Sequence, residues 1–419
     1  MKLSDFGRKM SGEAGILQLM DDLGKALSTG APKAMFGGGN PAQIPEVTAA
    51  YERSLRAILD DPKQLAAMIG NYDTPQGNDA FIDSFVSFIN RTYGWNISND
   101  NVAVTAGSQS GFFMLFNLLA GKSNGMQRRI MLPLVPEYIG YADQLIEPDG
   151  FTSQRPSVQK LGEHEFKYHV DFNNLQVDPS VAALCLSRPT NPTGNVISDD
   201  EIGHLSRLAK QHDIPLIIDN AYGQPFPGVI RVPAKLHFDG HTVLSFSMSK
   251  VGLPGSRVGV FVGPPALMRA LSSANAIVSL ASPSFGQYAM KPLLDSDEVM
   301  RLSRDHIQPF YFERAEKARS MMMSQFPDDL PWRLHVYEGS YFFWLWCEGA
   351  KKTSMQMYEY LRDRGVVVVP GEYFFPGQDT TIWAHSHECL RLNFSRPDAE
   401  LEVGIPILNE MLGWAYSDS

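Results

Sequence analysis

From Val102 onward, short apolar runs alternate with helical segments. The runs are NVAVT (101–105), RIMLPL (129–134), VAALCLS (181–187), PLIIDN (215–220), TVLSFS (242–247) and VGVFVG (258–263). Between two of them lies SDDEIGHLSRLAKQHD (198–213). Ser198 is a candidate N-cap, acids fill the first turn, and Ile202, Leu205 and Leu208 give one apolar face. Strand, helix, strand in alternation predicts an α/β fold, with a mostly parallel sheet sandwiched by helices. In such sheets, chemistry collects beyond the C-terminal ends of the strands. Those ends are polar and glycine-rich here: NVAVT runs into AGSQSG, VAALCLS into RPTNPTGN, PLIIDN into AYGQPF, and LSFS into MSKVGLPGSR.

The rest of the chain reads as support for that sheet. Ile16, Leu19, Met20 and Leu23 have helical spacing, MFGGGNPAQIPE (35–46) is loop, and helical patterns fill most of 46–92. Near residue 300 a long helical stretch, RLSRDHIQPFYFERAEKARSMMMSQF, opens a second region. SYFFWLW, GVVVVP and CLRLNFS follow as strands, then a terminal helix. The expected division is a large domain over 48–300 and a smaller α+β domain built from 1–47 and 301–419. A chain of 419 residues with 44% apolar residues has ample core.

Charge and cysteine usage narrow the function. A net charge of −10 argues against nucleic acid as a partner, because phosphates need a basic face. Three scattered cysteines, Cys185, Cys347 and Cys389, make no disulfide framework and fit a reducing compartment. No apolar run is long enough to span a membrane, and the first residues lack a signal-peptide core. A cytoplasmic location is expected.

In SMSKVGLPGSRVG (247–259) a lysine, Lys250, ends an apolar strand. Most lysines are solvated, but a desolvated one has a lowered pKa, and its neutral amine can add to a carbonyl. AGSQSG (106–111) opens a helix whose N–H groups favour an anion, and Arg257 can join them there. Asp219 ends its strand as a carboxylate that needs a partner, Tyr222 follows it, and Asn191 sits in NPTG. Singly each has an ordinary explanation. Together they meet the needs of pyridoxal 5′-phosphate: an amine for the aldehyde, a carboxylate for the ring nitrogen, and cationic or N–H groups for the phosphate.

On these motifs the chain resembles the fold-type I, pyridoxal-phosphate-dependent aminotransferases of classes I and II, over roughly residues 30 to 415. The resemblance implies a role for each matching residue. Tyr72 in NYDTPQG would reach the phosphate of the neighbouring subunit's cofactor, making the active unit a homodimer. Ser108 and Gln109 would cradle the phosphate, and Tyr138 in PEYIGY would stack on the ring. Asn191 and Tyr222 would bond the ring hydroxyl, and Asp219 the ring nitrogen. Ser247, Ser249 and Arg257 would face the phosphate around Lys250, the covalent anchor and proton carrier. Arg391 in CLRLNFS and the backbone of Gly39 in GGGNP would hold the substrate α-carboxylate. One feature departs from the family: the run from Lys250 to Arg257 is a residue shorter. Gly252, Pro254 and Gly255 are expected to absorb the tighter turn.

The implied reaction is transamination between an amino acid and a 2-oxo acid. A dicarboxylate substrate needs a second cation, and no extra arginine stands out in the N-terminal loops. Arg8 and Lys9 lie on a charged segment, whereas Ile16, Met35, Phe36 and Ile44 are apolar. An aliphatic substrate is expected. Within the family, GGGNPAQIPE, PEYIGYAD, SRPTNPTGNVI, IDNAYGQPFPG and VPGEYFFPG resemble the branch that exchanges an amino group between valine and pyruvate. Other substrate specificities and a pyridoxal-phosphate lyase are the enzymatic alternatives. The non-enzymatic alternative, an aminotransferase-like transcription regulator, would need a basic helix-turn-helix domain ahead of the sheet, whereas about 30 residues precede GGGNP and the charge is acidic. His385, His387 and Cys389 in WAHSHEC read as a polar loop before the Arg391 strand, with His385 as a candidate substrate contact. No metal site is expected.

Overall fold

The computed structural model describes residues 2–11 and 33–418. The helical spacing at Ile16, Leu19, Met20 and Leu23 lies outside the described residues.

The central sheet has eight strands, numbered here in chain order within it: β1 (Val102–Thr105), β2 (Gly121–Ser123), β3 (Met126–Leu132), β4 (Phe151–Ser153), β5 (Val181–Ser187), β6 (Leu216–Asp219), β7 (Thr242–Ser247) and β8 (Gly259–Val262). They run in the order β1-β8-β7-β6-β5-β3-β2, with β4 also on β3. Pairs β7·β6, β6·β5, β5·β3 and β3·β4 are parallel, while β8 is antiparallel to both its neighbours. All six apolar runs of the sequence are strands of this sheet. β1, β5, β6, β7 and β8 are buried at every residue. That burial explains their unbroken apolar composition, since helices cover both faces of such a sheet.

Ser198 caps the helix Asp199–Gln211 as expected. Its hydroxyl accepts the Glu201 N–H, and the Glu201 carboxylate accepts the Ser198 N–H, closing a capping box. Ile202 and Leu205 face the core.

A second sheet has six strands in the order 369–370, 389–393, 342–347, 332–335, 165–169, 157–161. SYFFWLW, GVVVVP and CLRLNFS all contribute to it, and Trp344, Trp346, Cys347 and Cys389 are buried there. Its last two strands form a hairpin from the middle of the chain, well before residue 300. Leu334 and His335 pair in parallel with Glu165 and Phe166. The sheet is therefore not drawn from one continuous stretch. The long helical stretch that opens near residue 300 is interrupted. Glu298–Leu302 passes through a widened turn at Ser303–Ile307 into Gln308–Gln325. In that turn the Ser303 hydroxyl donates to the Pro227 carbonyl.

Two strand registers set the site. Thr105, Gly259 and Ser247 lie side by side, as do Ser245, Asp219 and Ser187. Both rows fall at the end of the sheet where β1, β5, β6 and β7 finish.

Candidate active site

At that sheet end a cleft of about 230 Å³ opens. Its lining includes Gly39, Ser108, Gln109, Tyr138, Asn191, Asp219, Tyr222, Ser247, Ser249, Lys250, Arg257 and Arg391. Residues that are up to about 350 positions apart in sequence thus meet in one space.

Asp219 is buried at the tip of β6. Its carboxylate accepts the Tyr141 hydroxyl at 2.8 Å, the Ala221 N–H at 3.1 Å and the Ser245 hydroxyl at 3.3 Å. Burial raises its pKa, and those hydrogen bonds and Lys250 oppose the rise. A cation placed against it reverses that balance, since an opposite charge favours the ionised carboxylate.

Lys250 follows β7 on a short 3₁₀ turn, Met248–Val251. Its ammonium donates to the Gly39 carbonyl at 2.9 Å and lies 5.3 Å from the Tyr222 ring centre. The Tyr341 hydroxyl holds its backbone carbonyl at 2.7 Å. Burial, reinforced by Arg391, draws the Lys250 pKa down to about 8, against the pull of Asp219. A substantial neutral fraction near pH 7 to 8 is what an amine needs to act as nucleophile or base.

The other end of the cleft is built for an anion. The helix Ser108–Leu119 starts after Gly107, with no side chain capping its N-terminus. A Cβ on Gly107 would lie 2.2 Å from the Arg257 guanidinium, and a Cβ on Gly259 would lie 2.5 Å from the Ser108 nitrogen. Both glycines make room for a close approach of backbone and cation. In the run from Lys250 to Arg257 the backbone is left-handed at Gly252 (φ 95°) and at Arg257 itself (φ 51°). Gly255 has no such conformation. This turn carries the Arg257 side chain back to Ser249, at 3.3 Å, beside the helix start.

Arg391 sits on the second sheet with its guanidinium buried against the ring faces of Phe342 and Phe374, 4.3 and 5.4 Å from their centres. Nη1 donates to the Asn191 side-chain oxygen at 3.0 Å and Nη2 to the Gly37 carbonyl at 2.8 Å. Nε is buried without a hydrogen-bond partner. Burial lowers its pKa to about 10, still leaving it a cation at neutral pH. A buried guanidinium with donors to spare, aimed at a cleft, is a carboxylate receptor.

Tyr72 is not brought to this cleft within the chain; it is 84% exposed. Met35, Phe36 and Ile44 belong to the buried core and do not line the cleft. Arg8 is exposed, and Lys9 donates to the Leu145 carbonyl. His385 is likewise away from the cleft. It bonds the Tyr168 hydroxyl and packs on Trp346 and Trp383, and His387 pairs with Glu372. Sequence reasoning missed Tyr141, Ser245, Ser187, Tyr341 and Glu137. Only strand register and tertiary packing bring these to the site, so no local pattern marks them.

The model of the aminotransferase class I and II family matches residues 27–408. The chain belongs to this family. Valine–pyruvate aminotransferase of Escherichia coli K12 is 42% identical over the full length of both proteins. A solved structure from Psychrobacter arcticum 273-4 superposes with a TM-score of 0.97 at 42% identity, covering both chains entirely. Valine–pyruvate aminotransferase of Salmonella typhimurium LT2 gives 0.88 at 40% identity, covering 96% of this chain and all of the other. Kynurenine aminotransferase of Pyrococcus horikoshii, at 20% identity and 0.80, shares the fold.

Aminotransferases of these classes use pyridoxal 5′-phosphate, and the donors here fit it. The uncapped helix start, Ser108, Ser247, Ser249 and Arg257 suit a phosphate. Asp219 suits a protonated ring nitrogen, and Lys250, within electrostatic reach of both Asp219 and Arg257, offers a deprotonatable amine.

Proposed function

We propose that this aminotransferase exchanges an amino group between L-valine and pyruvate, giving 2-oxoisovalerate and L-alanine. The observation that carries the reading is the 42% identity over full length to a valine–pyruvate aminotransferase. The charge inventory of the cleft supports it. Among the described lining residues the cations are Lys250, Arg257 and Arg391. If Arg257 serves the phosphate and Lys250 the amine chemistry, Arg391 remains for one carboxylate. A second, distal carboxylate would have no described counter-charge.

In this reading each group has one task. Pyridoxal phosphate, when bound, supplies the electron sink that acidifies the substrate α-carbon. Asp219, braced by Tyr141 and Ser245, would keep the ring nitrogen protonated. Arg391 and the Gly39 backbone fix the α-carboxylate, so that the Cα–H faces Lys250. The neutral Lys250 amine takes the α-proton and returns it. Tyr138 would flank the cofactor ring, and Asn191 and Tyr222 would bond its hydroxyl. Gln109 belongs to the phosphate end.

The active unit is a homodimer in this reading, with Tyr72 completing the phosphate site of the neighbouring subunit. Exposed apolar residues around Tyr72 support a covered face. Ile69, Ile277, Val278 and Leu280 are each more than half exposed. Asn275 donates to the Pro75 carbonyl and Ser284 to Asp73, tying their segments together. Residues 48–300 form the cofactor-binding part and 1–47 with 301–419 the smaller part, which borrows the 157–169 hairpin. A cytoplasmic site fits three free, buried cysteines. Among the described residues no helix is long and apolar enough to cross a membrane.

The test is turnover of purified protein with valine and pyruvate. Formation of 2-oxoisovalerate and alanine is expected. Failure with this pair, alongside good turnover of aspartate or an aromatic donor, overturns the substrate assignment.

A further inference from the structure

Directly behind the cleft lies a carboxyl group that the reaction described above does not use. Glu137 is fully buried. Its Oε1 accepts the Ser187 N–H at 2.8 Å, and its Oε2 lies 2.5 Å from the Ser187 hydroxyl and 3.3 Å from the Tyr138 nitrogen. Its own N–H donates to the Phe374 carbonyl at 2.8 Å. The Glu137 side chain thus joins the Tyr138 backbone to the tip of β5, and its backbone N–H adds the segment beneath Arg391. Ser187 lines the cleft and lies in register beside Asp219.

We propose that Glu137 is a positioning residue that holds its carboxyl proton, and that it thereby turns the Ser187 hydroxyl into a donor toward the cleft. This rests on the aminotransferase reading of the cleft.

The argument is one of proton count. A single proton lies between Glu137 Oε2 and Ser187 Oγ. If the carboxyl is ionised, that proton is the serine's own, and Ser187 presents only lone pairs to the cleft. If the carboxyl is neutral, Oε2–H donates to Oγ, because Oε1 is occupied in accepting the Ser187 N–H. The serine proton is then free to point at Asp219 or a bound ligand.

The surroundings select the neutral form. Among the described residues no lysine or arginine forms an ion pair with Glu137. Asp219, Tyr141 and Cys185 face it from β6, the 139–141 turn and β5. Each is an acid, and its ionisation would be disfavoured alongside an ionised Glu137. The Gly371–Phe374 segment offers a backbone carbonyl, and its one charged side chain, Glu372, pairs with His387. Desolvation accordingly pushes the Glu137 carboxyl up to about 8, against three hydrogen bonds that favour the anion. Of these two neighbouring carboxyls, Asp219 has Lys250 beside it to favour its charge, whereas among the described residues no cation favours the charge of Glu137.

The test uses infrared spectra of the cofactor-free protein and kinetics of the holoenzyme. In the spectra, wild type minus Glu137→Gln at neutral pH is expected to carry the carbonyl stretch of a protonated carboxyl, which fades as the pH rises past about 8. Carboxylate bands in its place at neutral pH overturn the proposal. This readout needs no turnover, so it stands apart from the substrate assignment. In the kinetics, Glu137→Gln keeps both hydrogen bonds to Ser187 and is expected to hold kcat within about threefold at neutral pH. Glu137→Ala, checked for native thermal unfolding, is expected to lose tenfold or more. Equal loss in both variants overturns the proposal, because rescue by the carboxamide is what a neutral donor requires.

Discussion

Lys250 and Arg391 are the two residues whose removal separates chemistry from binding. Lys250→Ala is expected to abolish turnover and the absorbance change that accompanies covalent capture of the cofactor, which a spectrophotometric titration reads. Retained turnover would refute the role given to the lysine. Arg391→Lys keeps a cation but loses the fork that spans Asn191 and Gly37. It is expected to lower kcat/KM for valine by about a hundredfold, or ~2.7 kcal/mol, mostly through KM. At this scale the sequence was informative where a residue has a chemical signature. A lysine or an aspartate at the end of an apolar run is costly unless used, so Lys250 and Asp219 stood out. Tyr141, Ser187 and Glu137 carry no such mark, because their importance comes from neighbours on other strands.

Among elements, the capped helix Asp199–Gln211 and the second sheet invite different measurements. Ser198→Ala removes one half of a capping box and is expected to cost about 1 kcal/mol in urea unfolding, with activity unchanged. In the second sheet, Tyr168 joins two buried histidines. His335 Nε2 accepts the Tyr168 N–H at 3.2 Å, and the Tyr168 hydroxyl meets His385 Nε2. Burial lowers their pKa values to about 3 and about 4, from 6.5. The folded state therefore binds these protons less readily than the unfolded chain does. Their contribution is full above pH 6.5 and is lost as the pH falls toward 4 and then 3. Calorimetry is expected to show Tm falling by several degrees between pH 7 and pH 5, and falling less in His335→Asn. The strands themselves were legible, because a buried parallel sheet demands unbroken apolar runs. The hairpin at 157–169 was not. SVQKL and EFKYH mix charge with apolar residues, and Ser157–Leu161 is largely exposed on the edge of its sheet.

For the whole molecule, the apolar surface around Tyr72 makes assembly the question. Sedimentation is expected to give a dimer. Ile277→Asp, at a residue 88% exposed in the single chain, is expected to shift it toward monomer and to weaken cofactor retention. A fully active monomer would overturn the homodimeric reading. The 157–169 hairpin also has a consequence for how the chain comes to be folded. When it leaves the ribosome, the strand that it must join, residues 332–335, has not yet been made. Until that strand arrives, the edge at Glu165–His169 has no lasting neighbour, whereas the central sheet's strands, all within 102–262, are already made. Pairings so distant in sequence are slow to form. Fragments ending before residue 332 are thus expected to bind chaperones or aggregate, and full-length chains to gain the second sheet last.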